Sequence, residues 1–217
     1  MVLKLYAGPR AGGGGGVVAQ VLLEKQIPFE HILVDLGKGE HKTAEFLEKH
    51  PFGQVPVIDD DGFILYESRA IARYLAEKYA GQGTPLIPTD LKGRALFEQA
   101  ASVEFADFNP PLLRILTEKF RKPSGQPVDE VAVAEAVAQL SATLQVYEGI
   151  LGKQKFLAGN EITIVDMFHL AYAPILRVEG IDVMTSTGPN TARWWNDVLT
   201  RPTRVKLKEE GIKSTHV

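Results

Sequence analysis

The chain has 217 residues, 45% of them hydrophobic and 24% charged, with a formal net charge of −3. Those totals fit one or two globular domains and exclude a disordered chain or a dominant nucleic-acid footprint. Cysteine is absent, which removes disulfides, thiolate metal sites and any protein-thiol nucleophile, and no apolar run is long enough to span a bilayer.

The opening "VLKLYA" (Val2 to Ala7) alternates apolar and polar residues and reads as a strand. Then comes "RAGGGGGVVAQ", with five consecutive glycines from Gly12 to Gly16. Apolar residues at Val17, Val18, Val21 and Leu22 give a helical stripe ending near Lys25. "FEHILVDL" (Phe29 to Leu36) returns to β-type alternation, so the unit is strand–helix–strand with a right-handed crossover. "KTAEFLEKHP" is a short helix stopped by Pro51. "QVPVIDDDGFILYES" is two strands joined by a turn at Asp60-Asp61-Gly62. "SRAIARYLAEKYA" follows as an amphipathic helix with Ser68 placed as its N-cap.

This β-α-β-α-β-β-α order is the thioredoxin-like pattern, a mixed four-stranded α/β domain over residues 1–80. "GQGTPLIPTD" is rich in Gly and Pro and makes residues 81–90 a linker. From there residues 91–217 carry apolar spacings of three and four, an all-α helical domain. The basic C-terminal stretch "RPTRVKLKEEGIK" is interrupted by acids and reads as a solvated helix face. The opening residues lack the features of a secretory signal, so a cytoplasmic protein is expected.

Several residues invite a chemical reading beside a structural one. Pro56 within a strand is tolerated at an edge or at a cis turn. A cis turn would point the Val55 backbone outward, ready to pair with an extended peptide. Glu67 and Ser68 at a helix start suit an amino-acid head group, or serve as ordinary capping residues. His41 and Lys42 could grip a carboxylate, or be plain surface residues. The histidines at 31, 41, 50, 169 and 216 show no ligand spacing, so no metal is expected. Thr163 followed by Asp166 is a capping box, with Ile162 and Met167 at the staple positions, and its reading is structural.

Taken together, "LKLYAGPRA", "VVAQVLLEKQIPFE", "GKGEHKTAEFLEKHPFGQVPVIDDDGFILYESRAIARYLAEKYA", "FLAGNEITIVDMFHLAY" and "WWNDVLTRP" resemble a glutathione transferase, most closely the phi class of plants and fungi. The likeness runs over almost the whole chain. It implies a glutathione site in which His41 and Lys42 hold the glycine carboxylate. Gln54, Val55 and a cis Pro56 would pair with the cysteinyl backbone, and Glu67 and Ser68 with the γ-glutamyl group. It implies a homodimer in which Phe52 inserts into the partner subunit. Glutathione would be a co-substrate, with no other cofactor, and a small hydrophobic electrophile the second ligand. The expected electrophile pocket lies between the domains, with Pro9, Arg10, Phe108, Pro111, Leu112, Ile115, Phe120 and Tyr172 as walls, any of which could instead be interhelical core.

The resemblance also exposes a gap. A phi-class relative places a serine just before the first helix to help ionise the glutathione thiol, whose unperturbed pKa is about 8.5. The matching positions, Ala11, Gly12 and Gly13, have no donor side chain. Tyr6 is a nearby hydroxyl, and the backbone N–H groups of the glycines are a second source of donors. The run is not a nucleotide loop, since the spacing fails and no G-K-[ST] follows. Two readings stay open: a transferase that conjugates glutathione to electrophiles, with or without peroxidase activity, or a silent binding protein of the same fold.

Overall fold

The computed structural model describes residues 2–121 and 125–215, so His216 lies outside the described residues. The chain divides into two units, Met1–Ile87 with Leu199–Val217, and Pro88–Val198. The division falls within the expected linker. The C-terminal stretch, however, belongs with the first unit and not with the helical one.

The first unit runs β1 (Leu3–Ala7), α1 (Gly13–Glu24), β2 (Phe29–Leu33), α2 (Ala44–Lys49), β3 (Val57–Asp60), β4 (Phe63–Tyr66) and α3 (Ser68–Lys78). The sheet order is β2-β1-β3-β4, with β1 and β2 parallel and the other pairs antiparallel. Along β1, Leu3, Leu5 and Ala7 are buried. Ala7 faces α1, because a Cβ built on Gly15 would lie 2.9 Å from its own. Alternation sends Tyr6 to the opposite face, where its ring meets Phe46 of α2 at 6.4 Å. The β3–β4 loop has Asp61 at φ 56° and Gly62 at φ 88°. Two left-handed residues make the tight hairpin turn whose twist suits the flanking strands.

The second unit is helical: α4 (Leu91–Val103), α5 (Asn109–Leu116), α6 (Glu130–Leu151), α7 (Ile164–Phe168), α8 (Ala173–Val178), α9 (Val183–Ser186) and α10 (Pro189–Leu199). Its interior holds Phe108, Tyr147, His169 and Trp194, all buried. The Thr163–Asp166 capping box forms as expected at the start of α7. Asp166 does more than cap. Its Oδ1 also accepts from the Leu157 backbone N–H at 3.1 Å and the Trp194 indole at 2.9 Å.

The last helix, α11 (Pro202–Glu210), returns to pack on α1 in the first unit. Its basic stretch is not simply a solvated face. Arg201 sets Nε and Nη2 at 2.7 and 2.6 Å from the two oxygens of buried Glu24. The Thr84 and Thr203 hydroxyls donate to the same carboxylate. Burial alone would raise the Glu24 pKa, but these donors outweigh it and hold the carboxyl below its ordinary value. Beyond α11 the chain lies along β2. Thr215 N–H donates to the Phe29 carbonyl at 2.9 Å, and the Ser214 hydroxyl accepts from His31 N–H at 2.9 Å.

Candidate functional site

The glycine run forms the first turn of α1, with Gly12 in the cap position. No side chain caps this end and no acid lies in its first turn. The leading N–H groups of a helix have no intrahelical acceptor, so those of Gly13 to Gly15 remain available at the positive end of the dipole. Four glycines in one turn carry a propensity cost of about 3 kcal/mol or more relative to alanine. Packing explains why they are needed. A Cβ on Gly14 would lie 2.9 Å from Pro56 Cδ and 3.1 Å from Ser68 Oγ. On Gly16 it would lie 1.9 Å from the Ala11 carbonyl oxygen, an impossible approach. Bare backbone therefore lets three segments meet: the first turn of α1, Pro56 and the start of α3.

The Val55–Pro56 bond is cis, as one reading of the sequence expected. Val55 precedes β3 and stays outside the sheet ladder, while Gln54 is exposed. Ser68 departs from expectation. It is the first helical residue of α3, and Glu67 takes the cap position with φ 71° and no side-chain cap bond. A positive φ at glutamate is held only when its surroundings fix it, at a cost of about 1–3 kcal/mol. The outcome is that the Ser68 hydroxyl faces Gly14 and does not cap its own helix.

A second cluster forms around Lys42. Its ammonium donates to the Phe52 carbonyl at 3.0 Å. Gly53, at φ 58°, packs so closely on Lys42 and the His41 carbonyl that a Cβ would fall within 3.0 Å of both. Phe52 N–H donates to His50 Nδ1 at 3.3 Å, and the His50 ring stacks on Tyr66 at 4.4 Å. Burial pushes the His50 pKa down, Glu67 opposes that shift and Lys42 adds to it. Phe52 itself is 67% exposed. His41 Nδ1 is buried without a partner.

The remaining sequence candidates divide. Tyr6 sits on the α2 face of the sheet, away from α1. Phe108, Pro111, Leu112 and Ile115 are buried, and Phe108 lies parallel to the Tyr147 ring and edge-on to His169 in the helical interior. For these the core alternative is the better description. Pro9, Arg10 and Phe120 are exposed and Tyr172 is half-buried. No group of residues able to hold a metal ion occurs among the described residues. The helical unit also contains a cavity of about 410 Å³ between α4 and α6, lined by Leu96, Ala100, Val103, Val146 and Ile150. The sequence reading missed it, because a groove between two helices belongs to neither periodicity alone. Arg204 was missed as well: it is buried, and its Nη1 donates to the Ala11 carbonyl at 2.8 Å.

A thioredoxin-like unit followed by a helical one, with a cis proline and a serine at the start of α3, defines a class of glutathione-dependent proteins. Residues 18–78 match the N-terminal domain of glutathione S-transferase and residues 108–202 its C-terminal domain. The chain belongs to the glutathione transferase family. It is 43% identical over 216 residues to glutathione S-transferase hmp2 of Hypomyces subiculosus, covering 97% of this chain and 100% of that one. The crystal structure of glutathione transferase F7 from Populus trichocarpa superimposes with a TM-score of 0.90 at 36% identity, covering 96% and 99%. Maize glutathione S-transferase I in complex with an atrazine glutathione conjugate gives 0.86 at 30% identity, covering 96% and 97%. The F-type likeness places the chain with the phi class, and its activity is that of a glutathione transferase.

Proposed function

We propose that the first unit binds glutathione through the two clusters described above and that the bound thiolate attacks hydrophobic electrophiles. The observation that carries this reading is the convergence of Gly14, Pro56 and Ser68. Ser68, with Glu67 beside it, takes the γ-glutamyl head group. Gln54 and Val55, lying outside the sheet ladder, meet the cysteinyl backbone. Lys42 has further N–H donors beyond the one given to Phe52, and with His41 it takes the glycine carboxylate. The S–H bond breaks, its proton leaves to water, and the sulfur electron pair forms the new bond while the electrophile expels its leaving group. Catalysis rests on positioning and on stabilising the thiolate. Phe120 and Tyr172, which the helical interior does not fully enclose, are the rings left to meet an apolar electrophile.

The test is calorimetric titration with glutathione beside turnover of 1-chloro-2,4-dinitrobenzene. Binding with turnover is expected. Tight binding without turnover would favour a silent binding protein, a reading supported by the lack of a donor side chain at Ala11, Gly12 and Gly13. No binding would sink both.

The same reading includes a homodimer. Phe52 presents an exposed ring, and the α4–α6 cavity presents exposed Leu96 and Val146 at its margin. A two-fold axis would seat each ring in the other subunit's cavity. Phe52→Ala should elute as a monomer where the parent elutes as a dimer, and an unchanged dimer would count against the arrangement.

A further inference from the structure

Arg204 is 5% exposed, yet no carboxylate among the described residues pairs with it. Its Nη1 donates to the Ala11 carbonyl at 2.8 Å, and its Nε is buried with no partner. Burial lowers the guanidinium pKa from its ordinary value. Arginine nonetheless stays ionised across the working pH range, so this is a buried positive charge. A buried charge is ordinarily matched by an opposite one.

Its position gives the charge a use. Ala11 immediately precedes Gly12, the cap of α1, whose leading amides have no side-chain partner. The same C-terminal segment grips the loop twice, since Ile212 N–H also donates to the Pro9 carbonyl at 3.0 Å. The Ala11 oxygen presses on Gly16, where no Cβ fits, so the loop is wedged between α11 and the first turn of α1. The other charges nearby are already engaged or face water. Glu24 of α1 is paired with Arg201, and Arg10 of the loop is exposed. Lys206 and Lys208 on α11 are exposed as well.

We propose that Arg204 is a positioning residue for thiolate formation. It holds the Ala11 carbonyl so that the free amides of Gly13 to Gly15 meet the glutathione sulfur, and it lends that end of α1 a positive charge where no residue from Ala11 to Gly16 carries a hydroxyl. The thiol proton leaves to solvent, and the electron pair stays on sulfur. The inference rests on the glutathione-binding reading above and deepens it.

The test follows the thiol of bound glutathione by its thiolate absorbance across pH, in the parent and in Arg204→Met, Arg204→Gln and Arg204→Lys. The kcat/KM profile with 1-chloro-2,4-dinitrobenzene is measured in parallel. S-methylglutathione, which has no ionisable thiol, reports an intact site. Met and Gln should raise the apparent thiol pKa by about one unit, a loss of roughly tenfold in kcat/KM near pH 6.5 that closes at high pH. Lys should restore most of it, and S-methylglutathione affinity should stay within about twofold of the parent. A thiol pKa unmoved in Met and Gln overturns the proposal, as does a loss equal at every pH. If Met no longer binds S-methylglutathione, the Gln and Lys titrations decide by the same criteria. A parent that fails to bind S-methylglutathione would instead sink the glutathione-site reading, which is a separate result.

Discussion

Replacing Asp166 by alanine should destabilise the protein severely. The carboxylate is fully buried and collects four donors on two oxygens. Oδ2 takes the Thr163 N–H at 2.9 Å and its hydroxyl at 3.2 Å, which closes the cap of α7. Oδ1 takes the Leu157 N–H at 3.1 Å and the Trp194 indole at 2.9 Å, which ties two further segments to the same point. Losing an ordinary N-cap costs about 1–2 kcal/mol. Here three buried N–H groups would be left without acceptors, while the Thr163 hydroxyl can turn elsewhere. At about 1–2 kcal/mol for each orphaned donor, the loss is about 3–6 kcal/mol. Asp166→Asn keeps one acceptor oxygen for Leu157 and Trp194 and should lose only about 1–3 kcal/mol. Equilibrium urea unfolding at one fixed protein concentration, followed by tryptophan fluorescence, gives both values. An alanine variant within about 1 kcal/mol of the parent would show that these donors find water or relaxed partners.

The glutathione site makes two further tests. Ser68→Ala should weaken glutathione binding by about 10- to 150-fold, the worth of one good hydrogen bond to a charged group, and calorimetry would expose an unchanged affinity. Lys42→Met removes a charge-assisted bond and should cost at least about tenfold in glutathione affinity, with far less effect on an analogue lacking the glycine carboxylate. The third concerns pH. His50 accepts the Phe52 N–H through Nδ1, and its folded pKa lies below the ordinary value of 6.5. The unfolded chain therefore takes up the proton first as pH falls. This contribution to stability is complete above the unfolded pKa and is lost as pH drops from there towards the folded value. The urea midpoint should fall along that arm, and His50→Gln should flatten it; an identical slope in the variant would remove His50 from the account.

What could be read from the sequence was the chemistry that acts over a few residues. The Asp61-Gly62 hairpin and the Thr163–Asp166 box each follow from neighbours in the chain, and both are present. Ser68 looked like an N-cap for the same local reason. It is displaced because the start of α3 packs on Gly14, a partner that no window around Ser68 contains. The error over the C-terminal stretch has the same origin. Arg204 and Ala11 are 193 positions apart, so the charge pattern shows a basic helix face without showing which carbonyl it meets. Phe108 illustrates the converse. Its apolar character suits a ligand pocket and a core equally, and only its packing against the Tyr147 and His169 rings decides. The glycine run was legible as a missing hydroxyl but not as a packing device.

The strand pattern of the first unit is complete early, yet β2 takes its covering from Ser214 and Thr215. During synthesis these residues emerge after the whole helical unit. At about 5–20 residues per second, the interval from the end of α3 to the tail lasts from several seconds to about half a minute. Over that time the outer edge of β2 offers unsatisfied backbone groups to other nascent chains or to chaperones. A ribosome stalled before α11 is made would hold the sheet in that state. The tail thus covers this sheet edge only after the helical unit has been made.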